Sequence, residues 1–250
     1  MITKAEIKTV RSLADKKGRD EHGLFVAEGE KIIRELAASH MEVVKIYALE
    51  GVMEDMGSRV CRVSGAEMER LSMLKTANNS LAVVKIPQGR FSLESAEKNM
   101  VLALDGVANP GNLGTLIRLA DWFGIEEVVC SPSTADCFNP KVVQATMGAI
   151  IRVRVHYCDL PPLLREARGR GIEVCGTFLD GENIYEAALP SSGFVVMGNE
   201  GHGISDLVSS TVSRRLHIPP YPSHRQGSES LNVSAAAAVV CSEFRRRMRS

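Results

Sequence analysis

The sequence predicts an α/β protein of two domains, and three observations carry this prediction. The chain has 250 residues, of which 44% are hydrophobic and 24% charged, a composition typical of a globular protein. Short apolar segments that suit buried strands alternate with longer segments of helical periodicity, and this pattern favours parallel sheets covered by helices. A polar segment with Pro and Gly, residues 87–99, separates two such series.

The first domain is predicted over residues 1–90 and is followed by a linker at residues 91–99. Its opening segment, residues 2–19, has apolar side chains at helical spacing and an excess of basic residues, which predicts an amphipathic helix. The rest of the domain alternates strands and helices. The predicted strands are residues 24–29, 43–50 and 81–86, and the predicted helices are residues 30–39 and 66–74.

The second, larger domain is predicted over residues 100–250. Apolar runs ended by Gly, Asn or Pro predict its strands, and stretches with apolar residues three and four positions apart predict its helices. The predicted strands are residues 99–106, 126–131, 151–157, 173–179, 192–200 and 214–220. The predicted helices are residues 115–124, 140–150, 160–171 and 233–248.

Charge and cysteine content exclude several classes of protein. With 30 basic and 30 acidic residues the formal net charge is zero, so any binding to nucleic acid must come from local basic patches. The six cysteines form no C-x-x-C pair, which favours free thiols over a disulfide scaffold or a zinc site. The N-terminal segment lacks the apolar core of a signal peptide, and no apolar stretch reaches the ~20 residues that span a bilayer. We therefore expect a cytoplasmic protein with no membrane partner and no metal site.

Ligand binding is predicted at one edge of the second sheet. In open α/β sheets, ligands bind beyond the carboxyl ends of the strands. Loops rich in Gly, Pro, Asn and Ser follow the predicted strands there, at residues 105–114, 176–181, 198–203 and 218–232. Each loop taken alone could be a tight turn, but four at one edge favour a binding site. No G-x-G-x-x-G motif follows the first strand and no P-loop motif occurs, which excludes a dinucleotide-binding fold and a P-loop nucleotidase.

Three segments of the second domain carry a family resemblance. They are ANPGNLGTLIRLADWFG, VVMGNEGHGIS, and HIPP followed by SESLNVSAAAAVV. In this order and separation they resemble the three signature motifs of the SpoU (TrmH-like) family of SPOUT-class RNA 2′-O-ribose methyltransferases. The likeness extends from Val101 to the end of the chain. The N-terminal segment RSLADKKGRDEHGLFVAEGEKIIRE is similar to the small L30e-like substrate-binding domain often joined to these enzymes.

The resemblance implies a fold and an activity that composition does not reveal. The second domain would be a SPOUT domain whose C-terminal segment forms a trefoil knot. The cofactor would be S-adenosylmethionine, the acceptor a ribose 2′-hydroxyl of RNA, and the active unit a homodimer. Ribosomal RNA is favoured over transfer RNA because the additional N-terminal domain often accompanies ribosomal substrates. The alternatives are a transfer-RNA enzyme, a base methyltransferase, and a non-catalytic RNA-binding or ribosome-assembly factor on the same fold.

The family's catalytic residues correspond to Asn112, Arg118, Glu200, Ser230 and Asn232. A guanidinium is a poor general base, so Arg118 is expected to hold an RNA phosphate and align the 2′-hydroxyl, while the group that accepts the proton is left open. Glu200 is expected to orient Arg118 or another polar group. Asn112 either caps the helix that follows it or hydrogen-bonds the acceptor, and capping is favoured on sequence alone. Ser230 and Asn232 are expected to combine a site role with capping of the alanine-rich helix.

The resemblance places cofactor contacts at Thr177, Gly198, Ile218 and Leu231. Gly198 lacks a side chain and would let the cofactor approach the backbone. Basic side chains of the first helix are expected to contact RNA phosphates, which positions RNA without reading its sequence. These residues are Arg11, Lys16, Lys17 and Arg19. The C-terminal arginines at positions 245–247 and 249 are further candidates, as are His224 and Arg225 in a connector, residues 221–227, that is longer than is usual in the family.

Overall fold

The computed structural model describes residues 2–222 and 230–248. Its strands are β1 Leu24–Glu28, β2 Val43–Ala48, β3 Val60–Arg62, β4 Ser80–Lys85, β5 Met100–Leu104, β6 Glu127–Cys130, β7 Arg154–Tyr157, β8 Val174–Phe178, β9 Glu182–Asn183, β10 Gly193–Met197 and β11 Arg214–His217. Its α-helices are α1 Lys4–Ser12, α2 Lys16–His22, α3 Glu30–Ala37, α4 Gly65–Leu71, α5 Leu93–Lys98, α6 Pro110–Trp122, α7 Pro140–Thr146, α8 Leu160–Gly169, α9 Asp206–Ser209 and α10 Val233–Arg247. Short 3-10 helices lie at Glu54–Arg59 and Ala149–Ile151.

The chain forms two compact units. The first contains Met1–Gln88 together with Asp136–Ile151, and the second contains Gly89–Ala135 and Arg152–Ser250. The sequence predicts two uninterrupted domains, whereas α7 and the 3-10 helix after it pack within the first unit although they connect two strands of the second.

The first unit is built on a four-stranded sheet of order β1-β4-β2-β3. Strand β4 is antiparallel to both of its neighbours, and β3 is parallel to β2. Strand β4 is buried along most of its length because α3 packs on one side of it and α4 also contacts it. This mixed sheet, with helices between its strands, agrees with the α/β class predicted for the N-terminal part.

The basic segment at residues 2–19 forms two helices and not the single helix that the sequence predicts. Helix α1 ends at Ser12 and α2 begins at Lys16. The Arg19 guanidinium donates hydrogen bonds to the carbonyl oxygens of Leu13 and Ala14, at 2.7 Å and 2.8 Å. A continuous helix would use these carbonyls for the N–H groups four positions later. The helix therefore breaks where the Arg19 side chain, five and six positions further on, binds these carbonyls instead.

Arg19 is buried, which corrects its predicted role as an RNA contact. Its side chain is 2% exposed, and its Nη2 and Nε atoms donate to Asp136 Oδ2 at 2.6 Å and 2.9 Å. Nearby, the rings of Phe25 and Phe138 lie 4.8 Å apart. These two contacts attach residues 136–151 to the rest of the first unit. A guanidinium with these partners is not available to a phosphate.

Arg11, Lys16 and Lys17 are exposed, so their predicted contact with RNA stays open. The Arg11 guanidinium also donates to the Ser72 carbonyl.

Seven parallel strands form the sheet of the second unit, in the order β7-β6-β5-β10-β8-β11-β9. Strands β5 and β10 are buried at every residue, as expected for central strands covered on both faces. The chain runs outward from β5 through β6 to β7 and then crosses to β8, and β10 inserts between β5 and β8. The predicted parallel α/β sheet is confirmed.

Several elements escape the sequence prediction. The predicted linker, residues 91–99, contains α5, whose Leu93 and Ala96 are buried in the core of the second unit. Strands β3 and β9 and helix α9 are too short for a pattern of apolar residues to predict them. The trefoil knot predicted for the C-terminal segment stays a prediction. No helix within the described ranges is both long and apolar enough to span a bilayer.

The arginines near the C-terminus form hydrogen bonds with other residues of the same chain. Arg245 donates from Nε to the Phe123 carbonyl at 2.6 Å and from Nη2 to the Gly124 carbonyl at 2.9 Å, which holds the end of α10 to the end of α6. Arg246 and Arg247 each donate to the carboxylate of Glu243 at 2.7 Å. These contacts leave little support for an RNA-binding tail, and position 249 lies outside the described residues.

We expect Arg19→Ala to lower the free energy of unfolding by about 3–5 kcal/mol, because Asp136 and two carbonyls would lose their donors. Denaturant unfolding followed by circular dichroism measures the change. Lys17→Ala, an exposed change in the same helix, is the control and should cost less than about 0.5 kcal/mol. A loss at Arg19 as small as that of the control would contradict a structural role for this guanidinium.

Glu243 provides a prediction for the effect of pH on stability. Hydrogen bonds from Arg246 and Arg247 lower the pKa of its carboxyl from 4.5 to about 2. Because the pKa is lower in the folded state, the stability contributed by this carboxylate is complete above the unfolded value and is lost as the pH falls from about 4.5 to about 2. We expect Glu243→Gln to lose less unfolding free energy over this interval, measured by denaturant titrations at several pH values. Equal losses in both proteins would contradict the assignment.

Candidate functional site

A pocket of about 850 Å³ lies at the carboxyl edge of the second sheet. Its walls come from residues 177–180 at the end of β8, residues 198–204 after β10, and residues 216–221 at the end of β11. Ser230, Leu231 and the first turns of α10 complete it. The parallel order places the ends of β10, β8 and β11 side by side, so loops far apart in sequence share one pocket.

All four residues predicted to bind a cofactor line this pocket: Thr177, Gly198, Ile218 and Leu231. The Thr177 hydroxyl donates to the Val196 carbonyl at 3.1 Å, so it links β8 to β10 beneath the pocket floor. Leu231 is 54% exposed and lies just before the start of α10, where its apolar side chain is accessible from the pocket.

Gly198 is required by a close approach of two backbone segments. A Cβ atom built on Gly198 would lie 2.2 Å from the carbonyl carbon of Gly203 and 2.3 Å from the nitrogen of Ile204. Asn199 and Gly203 exchange backbone hydrogen bonds of 2.8 Å and 2.9 Å, which close residues 199–203 into a tight turn. The glycine thus serves the turn as well as any ligand beside it.

Three predicted catalytic residues form one hydrogen-bonded cluster. Asn112 donates from Nδ2 to Glu200 Oε1 at 2.8 Å, and its Oδ1 accepts from Asn232 Nδ2 at 3.2 Å. The Ser234 hydroxyl donates to the Asn112 carbonyl at 3.3 Å. One residue from each of the three motifs therefore meets at this point, which we call the asparagine–glutamate cluster.

The helix caps differ in part from the prediction. Asn109, not Asn112, caps α6, because Pro110 occupies the first helical position and the Asn109 side chain accepts from the N–H groups of Gly111 and Asn112. Asn112 is therefore free to join the cluster. Asn232 caps α10 as predicted, accepting from the Ser234 N–H at 2.9 Å.

Arg118 lies apart from this cluster. It follows Asn112 by six positions on α6, which places the two residues about 120° apart around the helix axis. Its side chain is exposed and makes no hydrogen bond or ion pair with the described part of the chain. Glu200 is expected to orient either Arg118 or another polar group. In this chain it accepts a hydrogen bond from Asn112, so the structure supports the second of these roles.

Sequence analysis missed a charged pair at the rim of the pocket. The Arg215 guanidinium lies 3.5 Å from the centroid of the Phe178 ring and pairs with Asp180. The hydrogen bond from Arg215 lowers the pKa of the Asp180 carboxyl. Phe178 and Asp180 belong to a loop selected for its composition, but no local pattern connects them with an arginine on β11.

In the sequence, His224 and Arg225 are further candidate contacts, and no metal site is expected. His224 and Arg225 of the long connector lie outside the described residues. Within the described ranges, no group of three or more His, Cys, Asp and Glu side chains is arranged to hold a metal ion.

Comparisons with known proteins identify the family. Residues 99–242 match the model of the SpoU rRNA Methylase family, and residues 4–83 match the MRM3-like substrate binding domain. The chain belongs to the SpoU rRNA methylase family. The predicted family and the predicted class of enzyme, an RNA methyltransferase, are thereby confirmed.

Relatives of this SpoU-family chain match along nearly its whole length. It is 31% identical over 245 residues to the 23S rRNA (guanosine(2553)-2′-O)-methyltransferase RlmP of Bacillus subtilis, and 96% of each chain is covered. A solved TrmH-family protein from Porphyromonas gingivalis is similar to it with a TM-score of 0.88, 36% identity and 99% of each chain covered. An AdoMet-bound rRNA methyltransferase from Sinorhizobium meliloti has a TM-score of 0.86 and 25% identity, over 100% of this chain and 97% of the other. The predicted SPOUT-class fold is confirmed.

We expect Gly198→Ala to weaken binding of S-adenosylmethionine by about tenfold or more, equivalent to about 1.4 kcal/mol, because the new methyl group would force two backbone segments apart. Isothermal titration calorimetry measures the dissociation constant. Gly201→Ala is the matched control in the same SpoU-family loop, since a Cβ there meets its nearest atom at 3.6 Å. Equal affinities for the two variants would show that the close approach at Gly198 does not shape the binding site.

Proposed function

We propose that this protein transfers a methyl group from S-adenosylmethionine to a ribose 2′-hydroxyl of ribosomal RNA. The observation that carries the proposal is the convergence of the three motifs on one cluster, next to a pocket that the second and third motifs line. The pocket contains every predicted cofactor residue, and the cluster beside it joins Asn112, Glu200 and Asn232. Relatives that match along the whole chain and act on 23S rRNA support the choice of substrate.

The residues present suit the proposed cofactor. A pocket of about 850 Å³ is of the size that takes a small organic molecule, and its walls combine apolar side chains with the backbone groups of three loops. Gly198 has no side chain, so the cofactor can approach its backbone, and Ile218 and Leu231 provide apolar surface for an adenosine ring. When bound, S-adenosylmethionine supplies a methyl group already activated on a sulfonium.

The chain's own contribution is therefore orientation and charge placement. Hydrogen bonds from Asn232 to Asn112 and from Asn112 to Glu200 fix the direction of the Glu200 carboxylate. The second carboxylate oxygen, Oε2, has no partner among the described residues, so we assign to it a hydrogen bond from the acceptor hydroxyl. Ser230 and Glu200 both line the pocket.

Arg118 is proposed to hold the RNA phosphate next to the reacting sugar. Its exposed guanidinium is free among the described residues, but it does not line the pocket of its own chain. The proposed homodimer provides a second pocket that Arg118 could serve. The homodimer and the role of Arg118 are thus parts of one proposal.

The first unit is proposed to bind the RNA. Residues 4–83 match a substrate binding domain, and Arg11, Lys16 and Lys17 present exposed basic side chains. Since the chain has no net charge, such local groups must supply the attraction to phosphates. We propose that the reaction takes place in the cytoplasm, where the enzyme would meet its ribosomal RNA substrate.

The test is methyl transfer from radiolabelled S-adenosylmethionine to ribosomal RNA, followed by nuclease digestion and mass analysis of the nucleosides. A 2′-O-methyl nucleoside is the expected product from ribosomal RNA. Transfer RNA is assayed in parallel as the alternative substrate. A methylated base would overturn the ribose assignment. RNA binding without any binding of S-adenosylmethionine would favour a non-catalytic factor. Mapping 2′-O-methyl sites in the host's RNA with and without the gene then locates the nucleotide.

We expect Arg118→Ala to reduce methyl transfer below about 1% of the wild-type rate, because a positioned charge of this kind contributes about 10²-fold or more to the rate. Binding of S-adenosylmethionine and the melting temperature should stay at wild-type values, since Arg118 lies outside the pocket and is exposed. Full activity in this variant would refute the assignment. Arg168→Ala, another exposed arginine on a helix of the same unit, is the control.

A further inference from the structure

The loop that carries Glu200 is held by a residue for which the proposed function gives no role. Asn199 precedes the carboxylate, and its Oδ1 accepts hydrogen bonds from the N–H groups of Gly201 at 2.8 Å and His202 at 3.2 Å. This is the side-chain turn that asparagine forms with the backbone two and three positions ahead. Glu200 lies inside this turn, between Asn199 and the two N–H groups that the Asn199 side chain binds.

The same amide fixes the turn to a different loop. Asn199 donates from Nδ2 to the Gly106 carbonyl at 2.6 Å, across 93 positions of sequence. Gly106 is itself fixed, because its N–H donates to the Ser131 hydroxyl at 2.8 Å. The turn is therefore anchored to the loop after β5, from which α6 and Asn112 follow.

A second anchor holds the far end of the loop. Asp105 is 7% exposed, and its carboxylate accepts from the Ser205 N–H at 2.8 Å. The Asp105 N–H in turn donates to the Met197 carbonyl at 2.9 Å, where the loop begins. Both ends of the loop are thus attached at Asp105, and its middle is attached at Gly106 through Asn199.

From this geometry we infer that Asn199 is a positioning residue for methyl transfer, which acts by presenting the Glu200 carboxylate to Asn112. The Asn199 oxygen is occupied by two N–H groups of its own loop, so its part in the reaction runs through Glu200 and not through a bond to the acceptor. The inference rests on the proposed function, because it explains how the cluster of that function is held in place.

A double-mutant cycle tests the inference. Asn199→Ala, Glu200→Ala and the double variant are compared with the wild type by the turnover rate at saturating S-adenosylmethionine and ribosomal RNA. We expect each single change to lower turnover by about 10- to 100-fold, the range typical of small misplacements near reacting atoms. In the double variant, turnover should be no lower than in Glu200→Ala alone, because Asn199 then has nothing to position. A purely structural role would multiply the two losses instead.

Two further variants keep the result interpretable. Asn199→Asp keeps the acceptor for the Gly201 and His202 N–H groups but loses the donor to Gly106, and should retain the fold with reduced turnover. Asn183→Ala is the matched control, because Asn183 makes the same kind of turn with the N–H of Tyr185 at 3.1 Å and has no contact with Glu200. Melting temperatures are recorded for every variant.

The outcomes separate the inference from the proposed function. If the wild type transfers no methyl group to RNA, the proposed function fails. If the wild type is active and Asn199→Ala is as active as Asn183→Ala, or the losses in the double variant multiply, the inference is overturned while the proposed function stands.

Discussion

The position of β10 between β5 and β8 is the constraint on which the functional site depends. Parallel pairing with both neighbours brings the carboxyl ends of three strands together, although the strands lie far apart in sequence. The loop after β10 can then meet the loop after β5 through Asn199 and Gly106, and the start of α10 through the asparagine–glutamate cluster. Without this insertion the three motifs would have no common place to meet.

Much of this architecture is readable from the sequence, because the apolar runs of β5 and β10 and the glycines after them are local signals. The four residues predicted to contact the cofactor all line one pocket. The failures have a common cause, which is a partner distant in the chain. Arg19 is predicted to contact RNA because no pattern near it in the sequence indicates its pairing with Asp136, 117 positions away. Similarly, no local pattern connects Arg215 with Phe178.

Helix boundaries show the same limit on a smaller scale. A pattern of apolar residues at helical spacing continues through Leu13, yet a buried guanidinium takes the carbonyls that would carry the helix onward. At α6 the opposite occurs, since Pro110 sets the first turn and moves the cap to Asn109, leaving Asn112 for the site. The capping rule therefore gives the wrong answer at Asn112 and the right one at Asn232, where the cap is also a member of the cluster.

The segment Asp136–Ile151 has a consequence for how the protein is made. It supplies Asp136 and Phe138 to a unit whose other residues all precede position 89. During synthesis, the N-terminal unit must therefore wait for strands β5 and β6 of the following unit before its own packing is complete. A shortened chain ending near Gln88 would leave the Arg19 guanidinium and one face of Phe25 without their partners. Maturation of the two units is thus coupled through the order in which the ribosome releases them.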